Sequence, residues 1–393
     1  MSKIVFIQNG LVKVGDRVGI SGGDVRLFEI FKNTQKFSEK QFLVTKTGNE
    51  MFDELNLEPD KVHVLDIEPK SGIASQLLLS IKSFFVPKEL KKDFKEGVVY
   101  SSCEHLYDVL PSIRLSLFNP KVKWLAVYHW VEDFPWKEKR GGTSALKRYA
   151  YWLNRWVAGF LIKIFAYRIL AVSEPTKQKL LDIKKVPEKK IDTVLCGVEI
   201  DGVERIRQEF KNQAGGKYDA AFLKRLSPGK GIYDLMKIWN QVCKTKPNAK
   251  LAVMGEGAPS DVEKMKQMSK DFGIYDNIDF LGPVLDFDEK FKILNSSKVF
   301  LLPTHEENWA IVIGEAMAIG LPVVVTRLKE ITPIWLDSVS WVERSNINHF
   351  ASEVIKLVDD RNYAQGFIDL GFEKIKELDW SVIASKEFDG LQK

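Results

Sequence analysis

The stretch KVFLLPTHEENWAIVIGEAMAIGLPVVVTR, Lys298 to Arg327, reads as a short apolar strand, a polar loop, a helix rich in small residues and a second β-branched strand. Two such strands joined through a helix form a crossover unit, which places them parallel in one sheet. One carboxylate, Glu315, stands inside the otherwise apolar helix. A buried acid without a partner costs several kcal/mol or neutralises. The stretch therefore demands a partner for Glu315, protein or ligand.

Working outward, the same alternation runs along the whole chain. KIVFIQ, FLVTKT, VHVLDI, GVVYSS, VKWLAVYHW, RILAVS and IDTVLC precede a second series of YDAAFLKRL, KLAVMGEG, NIDFLG, KVFLLPT, PVVVTR and SWVE. Short β-branched runs alternating with longer amphipathic stretches build parallel sheets covered by helices. Two series predict an α/β protein of two Rossmann-like, doubly wound domains facing across a cleft, residues 1–198 and 199–375, with 376–393 a helix returning to the first domain. The length of 393 residues exceeds one ordinary core and suits two.

Composition narrows the class. With 45% hydrophobic and 28% charged residues the chain is neither disordered nor fibrous. Lys and Arg number 58 against 53 Asp and Glu, an excess too small for a dedicated nucleic-acid binder but compatible with phosphate-bearing ligands. Three scattered cysteines, Cys103, Cys196 and Cys243, fit neither a disulfide framework nor a zinc site and point to the cytoplasm. MSKIVFIQNG runs directly into a strand, which predicts no secretion signal. The most apolar region, Leu146 to Val172, is interrupted by Arg155, Lys163 and Arg168 and is not expected to span a membrane.

Candidate chemistry concentrates in the second half. Glu307 and Glu315 form Glu-x7-Glu. A helix starting just after Glu307 would set the two acids about 12 Å apart along its axis, the reach of a diphosphate between two sugar rings. Carboxylates accept from vicinal diols, so Glu315 suits ribose hydroxyls and Glu307 the hydroxyls of a second sugar. Backbone N–H groups of Asn308, Trp309, Ala310 and Ile311 would present a helix N-terminus to the diphosphate. Arg225 and Lys230, on a loop after a strand, can neutralise phosphate as charge develops there. Gly255, Glu256 and Gly257 end another strand, where missing side chains allow a base or sugar to approach. Asp286 and Asp288 mimic a metal-binding acid pair, but Asp286 with Glu289 reads better as a helix N-cap.

In this order, FLKRLSPGKG, KPNAKLAVMGEG, NIDFLGPV and PTHEENWAIVIGEAMAIGLPVVVT resemble the nucleotide-binding domain of family 4 retaining glycosyltransferases with the GT-B architecture. The resemblance implies that residues 199–375 bind a nucleotide diphosphate sugar without metal or other cofactor. It assigns Arg225 and Lys230 to the leaving diphosphate and a backbone contact to the base near Val284. It makes 1–198 the acceptor domain, with Gly22 and Gly23 in a loop near the donor and His129 beside the transferred sugar. Glu132 and Asp133 are further acids on that side. The family's front-face substitution requires no enzyme nucleophile, and none stands out here. Lys224 replaces a usual Gly and Cys196 a usual Asn.

Wound as a helix, residues 146–164 gather Leu146, Tyr149, Leu153, Trp156, Phe160 and Ile164 on one face and Lys147, Arg148, Arg155, Tyr151 and Trp152 on the other. Either the apolar stripe packs on the sheet and leaves a basic surface in water, or 144–165 and 75–95 touch the inner face of a membrane peripherally. The expected activity is transfer of a hexose-type sugar to a lipid-linked or polysaccharide acceptor. A sugar nucleotide epimerase, a phosphorylase or a non-catalytic sugar-binding protein are the alternatives.

Overall fold

Each strand series closes one parallel sheet. The computed structural model describes residues 3–14, 17–70, 72–131 and 145–389. The chain divides into two units, Met1–Cys196 with Trp380–Lys393, and Gly197–Asp379.

In the first unit the strands of the parallel sheet are β1 (Lys3–Gln8), β2 (Glu39–Thr45), β3 (Lys61–Leu65), β4 (Gly97–Ser101), β5 (Val122–Tyr128), β6 (Arg168–Ala171) and β7 (Ile191–Thr193), in the order β3-β2-β1-β4-β5-β6-β7. β1 is apolar at every position from Ile4 to Ile7, each 0% exposed, because helices cover both sheet faces. The order reverses between β1 and β4, the switch point beside which ligands of such sheets bind. The helices that matter to the site are α1 (Gly22–Asn33), α2 (Ile73–Phe84), α3 (Leu106–Ser116) and α4 (Ala145–Phe165). Pro111 lies inside α3 and cannot donate to the carbonyl of Tyr107; the Asn9 side chain at the end of β1 takes that carbonyl instead, at 3.0 Å.

The second unit repeats the plan. Its strands are β8 (Tyr218–Leu223), β9 (Leu251–Met254), β10 (Ile278–Gly282), β11 (Ser297–Leu302), β12 (Val323–Thr326) and β13 (Ser340–Val342), ordered β10-β9-β8-β11-β12-β13 and parallel throughout. α5 (Ile232–Thr245) packs Leu235, Met236, Trp239 and Val242, a helical-period stripe, into the core. α6 (Phe287–Asn295) and α7 (Ile311–Ala318) follow. Asp286 caps α6, its Oδ1 accepting from the Glu289 N–H at 2.8 Å, and Asp288 pairs with Arg205, so the acid pair serves the helix end.

The unit boundaries fall slightly differently from the expected 198 and 375. Val198 forms a parallel bridge to Asp379 and donates to the Leu378 carbonyl, which keeps both crossing segments with the second unit. The last helix, α8 (Trp380–Glu387), belongs to the first unit. It is held there by the buried pair of Arg26 Nη2 and Glu387 Oε2 at 2.5 Å, with Tyr100 accepting from Arg26 at 2.7 Å and donating to Glu387.

α4 overturns the expectation that its apolar stripe packs on the sheet. Ala158, Gly159 and Ile162 face inward, while Leu146, Tyr149, Leu153, Trp156, Phe160 and Ile164 are between 41% and 77% exposed. The small residues win the inner face because the helix approaches the sheet closely: a Cβ on Gly159 would come 2.8 Å from the Tyr128 hydroxyl.

Candidate functional site

In the second unit the ends of β8 and β11 bring three charges together. Glu307, on the loop between β11 and α7 and only 7% exposed, has its Oε1 at 2.9 Å from Lys224 Nζ and 3.2 Å from Lys230 Nζ. Burial alone would raise this carboxyl, but the two ammonium groups hold it below the ordinary value. Burial also pushes the Lys230 ammonium down against the pull of Glu307, with Lys224 adding like-charge repulsion. Lys230 further donates to the Glu306 carbonyl at 2.7 Å. The arrangement is a carboxylate crowded by two cations at the carboxyl ends of neighbouring strands. Lys224, which the sequence marks only as a departure from the family, is one of the two.

The helix does not begin directly after Glu307. Trp309 is buried, its carbonyl accepts from Trp335 Nε1 at 2.9 Å, and Ala310 turns left-handed at φ 61° as the N-cap, so α7 starts at Ile311. Glu307 and Asn308 thus lie on a loop, and the expected 12 Å spacing along one helix does not apply. The buried Trp309 Nε1 has no hydrogen-bond partner among the described residues. Glu315, one turn into α7, pairs through Oε1 with Lys290 of α6 at 2.7 Å, and its side chain stays 16% exposed. That answers the partner question with protein, a lysine of the neighbouring helix.

Arg225 is exposed and has no side-chain partner among the described residues. Its loop is placed by the strand-end glycines. A Cβ on Gly255 would lie 1.9 Å from the Lys224 carbonyl, and one on Gly257 2.0 Å from the Leu226 carbonyl. These glycines admit neighbouring backbone where the sequence suggests ligand. Glu256 is exposed, its carbonyl accepting from Leu226 N–H at 2.7 Å, and Val284 is half-buried beyond β10. A cavity of about 520 Å³ in this unit, lined by Tyr218, Asp286, Glu289 and Lys292, opens at the opposite, amino end of β8.

In the first unit, Gly22 and Gly23 are the first residues of α1, not a preceding loop. Ser21 caps the helix, with Asp24 Oδ2 accepting from its N–H at 2.7 Å and its hydroxyl at 2.6 Å. Gly23 meets the sequence-selected histidine: a Cβ there would stand 3.1 Å from the His129 ring. His129 directly follows β5, and its Nε2 lies 2.9 Å from the Ser102 carbonyl, which places the proton on that nitrogen. Burial lowers its pKa, with Glu104 and Asp24 opposing.

The surrounding polar cluster escapes sequence reading. Glu104 Oε2 accepts the His129 N–H at 3.0 Å, and its Oε1 pairs with Arg155 of α4 at 2.9 Å. Burial would raise Glu104, but Arg155 and the two histidines hold it low. Arg155 Nε also reaches His105 Nε2 at 3.3 Å, and burial with that cation drives His105 down to about 3. Arg155 is assigned to a basic outer face by helical periodicity; it points inward instead. Glu132 and Asp133 lie outside the described residues.

The sequence resembles curated proteins over about half of its length. An uncharacterized glycosyltransferase of Methanocaldococcus jannaschii is 26% identical over 232 residues, 56% of this chain and 58% of that protein. A phosphatidyl-myo-inositol mannosyltransferase of Mycobacterium leprae is 28% identical over 194 residues, 48% and 50% of the two chains. The matches thus span less than two thirds of these relatives. Among solved structures, the Anabaena protein HepE in complex with UDP-glucose superposes at TM-score 0.74 with 16% identity over 100% of both chains. Sucrose-phosphate synthase from Thermosynechococcus elongatus superposes at 0.75 with 16% identity, over 100% of this chain and 98% of that one. Residues 204–373 match the family described as glycosyl transferases group 1, and the whole chain takes the two-domain α/β GT-B fold.

Proposed function

We propose that the protein is a glycosyltransferase that moves a hexose-type sugar from a nucleotide diphosphate sugar to a glycan or lipid-linked acceptor, with retention at the anomeric carbon. The observation that carries this reading is Glu307 gripped by Lys224 and Lys230 at the carboxyl ends of β8 and β11. Two lysines sharing one carboxylate form a site that a diphosphate can enter: its oxygens take the cations, and Glu307 is released to accept from sugar hydroxyls. Lys224, Arg225 and Lys230 then stabilise the diphosphate as its bond to the sugar breaks. Glu315 exchanges Lys290 for the ribose diol, and the backbone of Asn308 to Ile311 faces the phosphates at the start of α7.

The first unit takes the acceptor, with His129 bordering the reacting sugar. In the transfer the acceptor oxygen bonds to the anomeric carbon as the phosphate oxygen leaves from the same face, and the acceptor proton passes to that leaving oxygen. No enzyme nucleophile or metal is assigned. Neighbours solved with UDP, UDP-glucose and UDP with glucose support a nucleotide sugar donor.

A panel of nucleotide sugars screened for thermal stabilisation identifies the donor, since a ligand bound by the folded state raises the melting temperature. Glu307→Gln is then expected to cut kcat/KM by about a hundredfold or more, the scale seen when one transition-state contact is removed, with the fold retained. Wild-type turnover in that variant, or donor conversion without any acceptor, sinks the assignment.

A further inference from the structure

The exposed apolar residues of the first unit are concentrated on α2, on α4 and just past the end of α3, and these three helices pack against one another. On α4 the stripe from Leu146 to Ile164 advances by three or four residues at each step, a line roughly 27 Å long on one side of the helix. The Trp152, Trp156 and Phe160 rings stack in sequence along it, at 6.2 Å between neighbouring centroids. α2 adds Leu77, Leu78 and Ile81, each at least 50% exposed, followed by Phe85 at 72%; Phe118, just past α3, is 75% exposed. Together these side chains expose on the order of 1,000 Å², where the largest patch of an ordinary monomer is about 300 to 600 Å².

The charge around this surface selects its occupant. α4 carries Lys147, Arg148 and Lys163 and no carboxylate, its Arg155 being turned inward onto Glu104, and α2 carries Lys82 and no carboxylate. Lys88, Lys91, Lys92 and Lys95 follow α2, against Glu89, Asp93 and Glu96. Arg114 lies over the Phe84 and Phe118 rings at 5.8 and 5.6 Å, a cation at the apolar edge. No described helix is long and apolar enough to cross a membrane. An apolar aromatic stripe bordered by cations is the build of a helix lying in the plane of an anionic headgroup layer.

We propose that this face of α2, α3 and α4 seats the protein on an anionic lipid bilayer, with Trp156 and Phe160 inserted among the acyl chains and the lysines on lipid phosphates. The inference stands apart from the transfer reaction. It also gives the inward side of α4 a meaning, because Arg155 links the same helix through Glu104 to the backbone of His129.

The test is co-sedimentation of the full chain with vesicles of phosphatidylcholine alone and of phosphatidylcholine mixed with phosphatidylglycerol, with tryptophan emission followed in parallel. Binding to the mixed vesicles at low salt, weakening as salt rises and accompanied by a blue shift, is expected. Trp156→Glu with Phe160→Glu alters two exposed residues and is expected to lower vesicle affinity about a hundredfold or more. Lys82→Glu with Lys147→Glu changes charge alone and is expected to remove the preference for phosphatidylglycerol, which keeps the test decisive if the first pair disturbs folding. No binding to mixed vesicles, or unchanged binding in both double variants, overturns the proposal. So does a wild-type dimer that Trp156→Glu with Phe160→Glu splits into monomers, which would make a second copy the occupant.

Discussion

Gly231 shows how one residue places the cations. It joins the Lys230 turn to α5 with φ 76°, and a Cβ there would stand 1.8 Å from the Pro303 carbonyl oxygen. Gly231→Ala must move either the β8 loop or the end of β11, so a loss of about 3 kcal/mol or more is expected in urea denaturation, with Lys230 displaced from Glu307. A stability within the noise of wild type would show that the loop yields freely. Glu307 and Lys230 can be picked out from the sequence because their residue types and order suit phosphate chemistry. Lys224 cannot be assigned in that way: its partner lies 83 positions away, and only the parallel neighbours β8 and β11 bring the two together.

Among the elements, α8 and α4 carry opposite lessons. α8 is tied to the first unit by Arg26 and Glu387, whose side chains are 1% and 0% exposed, and by Tyr100 between them. Arg26→Met leaves a buried carboxylate uncompensated and is expected to cost about 3 to 5 kcal/mol in thermal or urea unfolding. Arg26→Met combined with Glu387→Leu is expected to recover a large part of that loss, since the stranded charge is gone. Equal destabilisation in the single and double variants would place the energy in packing. For α4, periodicity gathers the apolar stripe correctly, but Trp152, expected on the opposite face, stacks on Trp156 beside it, and the stripe turns outward instead of onto the sheet. Helical spacing says which residues share a face; whether that face turns inward depends on what the sheet offers, here the Tyr128 hydroxyl and the buried Glu104 carboxylate.

For the molecule as a whole, acid stability should carry the signature of the buried histidines. His105 is held neutral, accepting from Arg155, with its pKa down at about 3 against 6.5 in the unfolded chain. Below pH 6.5 the unfolded chain therefore binds the proton that the folded protein refuses, and stability falls toward pH 3 by up to about 1.4 kcal/mol per pH unit from this group. His105→Gln keeps an acceptor for Arg155 and is expected to flatten that limb in unfolding measured from pH 7 to pH 4; an unchanged slope would assign it to other groups. At this scale the alternation of strand and helix, the two parallel sheets and the capping role of Asp286 were all readable from residue order. Such features arise from local periodicity and hydrogen bonding within a few positions. The partners of Glu315, Glu307, His129 and Arg26, the outward-turned stripe of α4 and the carbonyls packed on Gly255 and Gly257 had to await the folded chain. Arg26 and Glu387 are 361 residues apart, and no pattern along the chain records a contact that exists only after two sheets and their crossovers are in place.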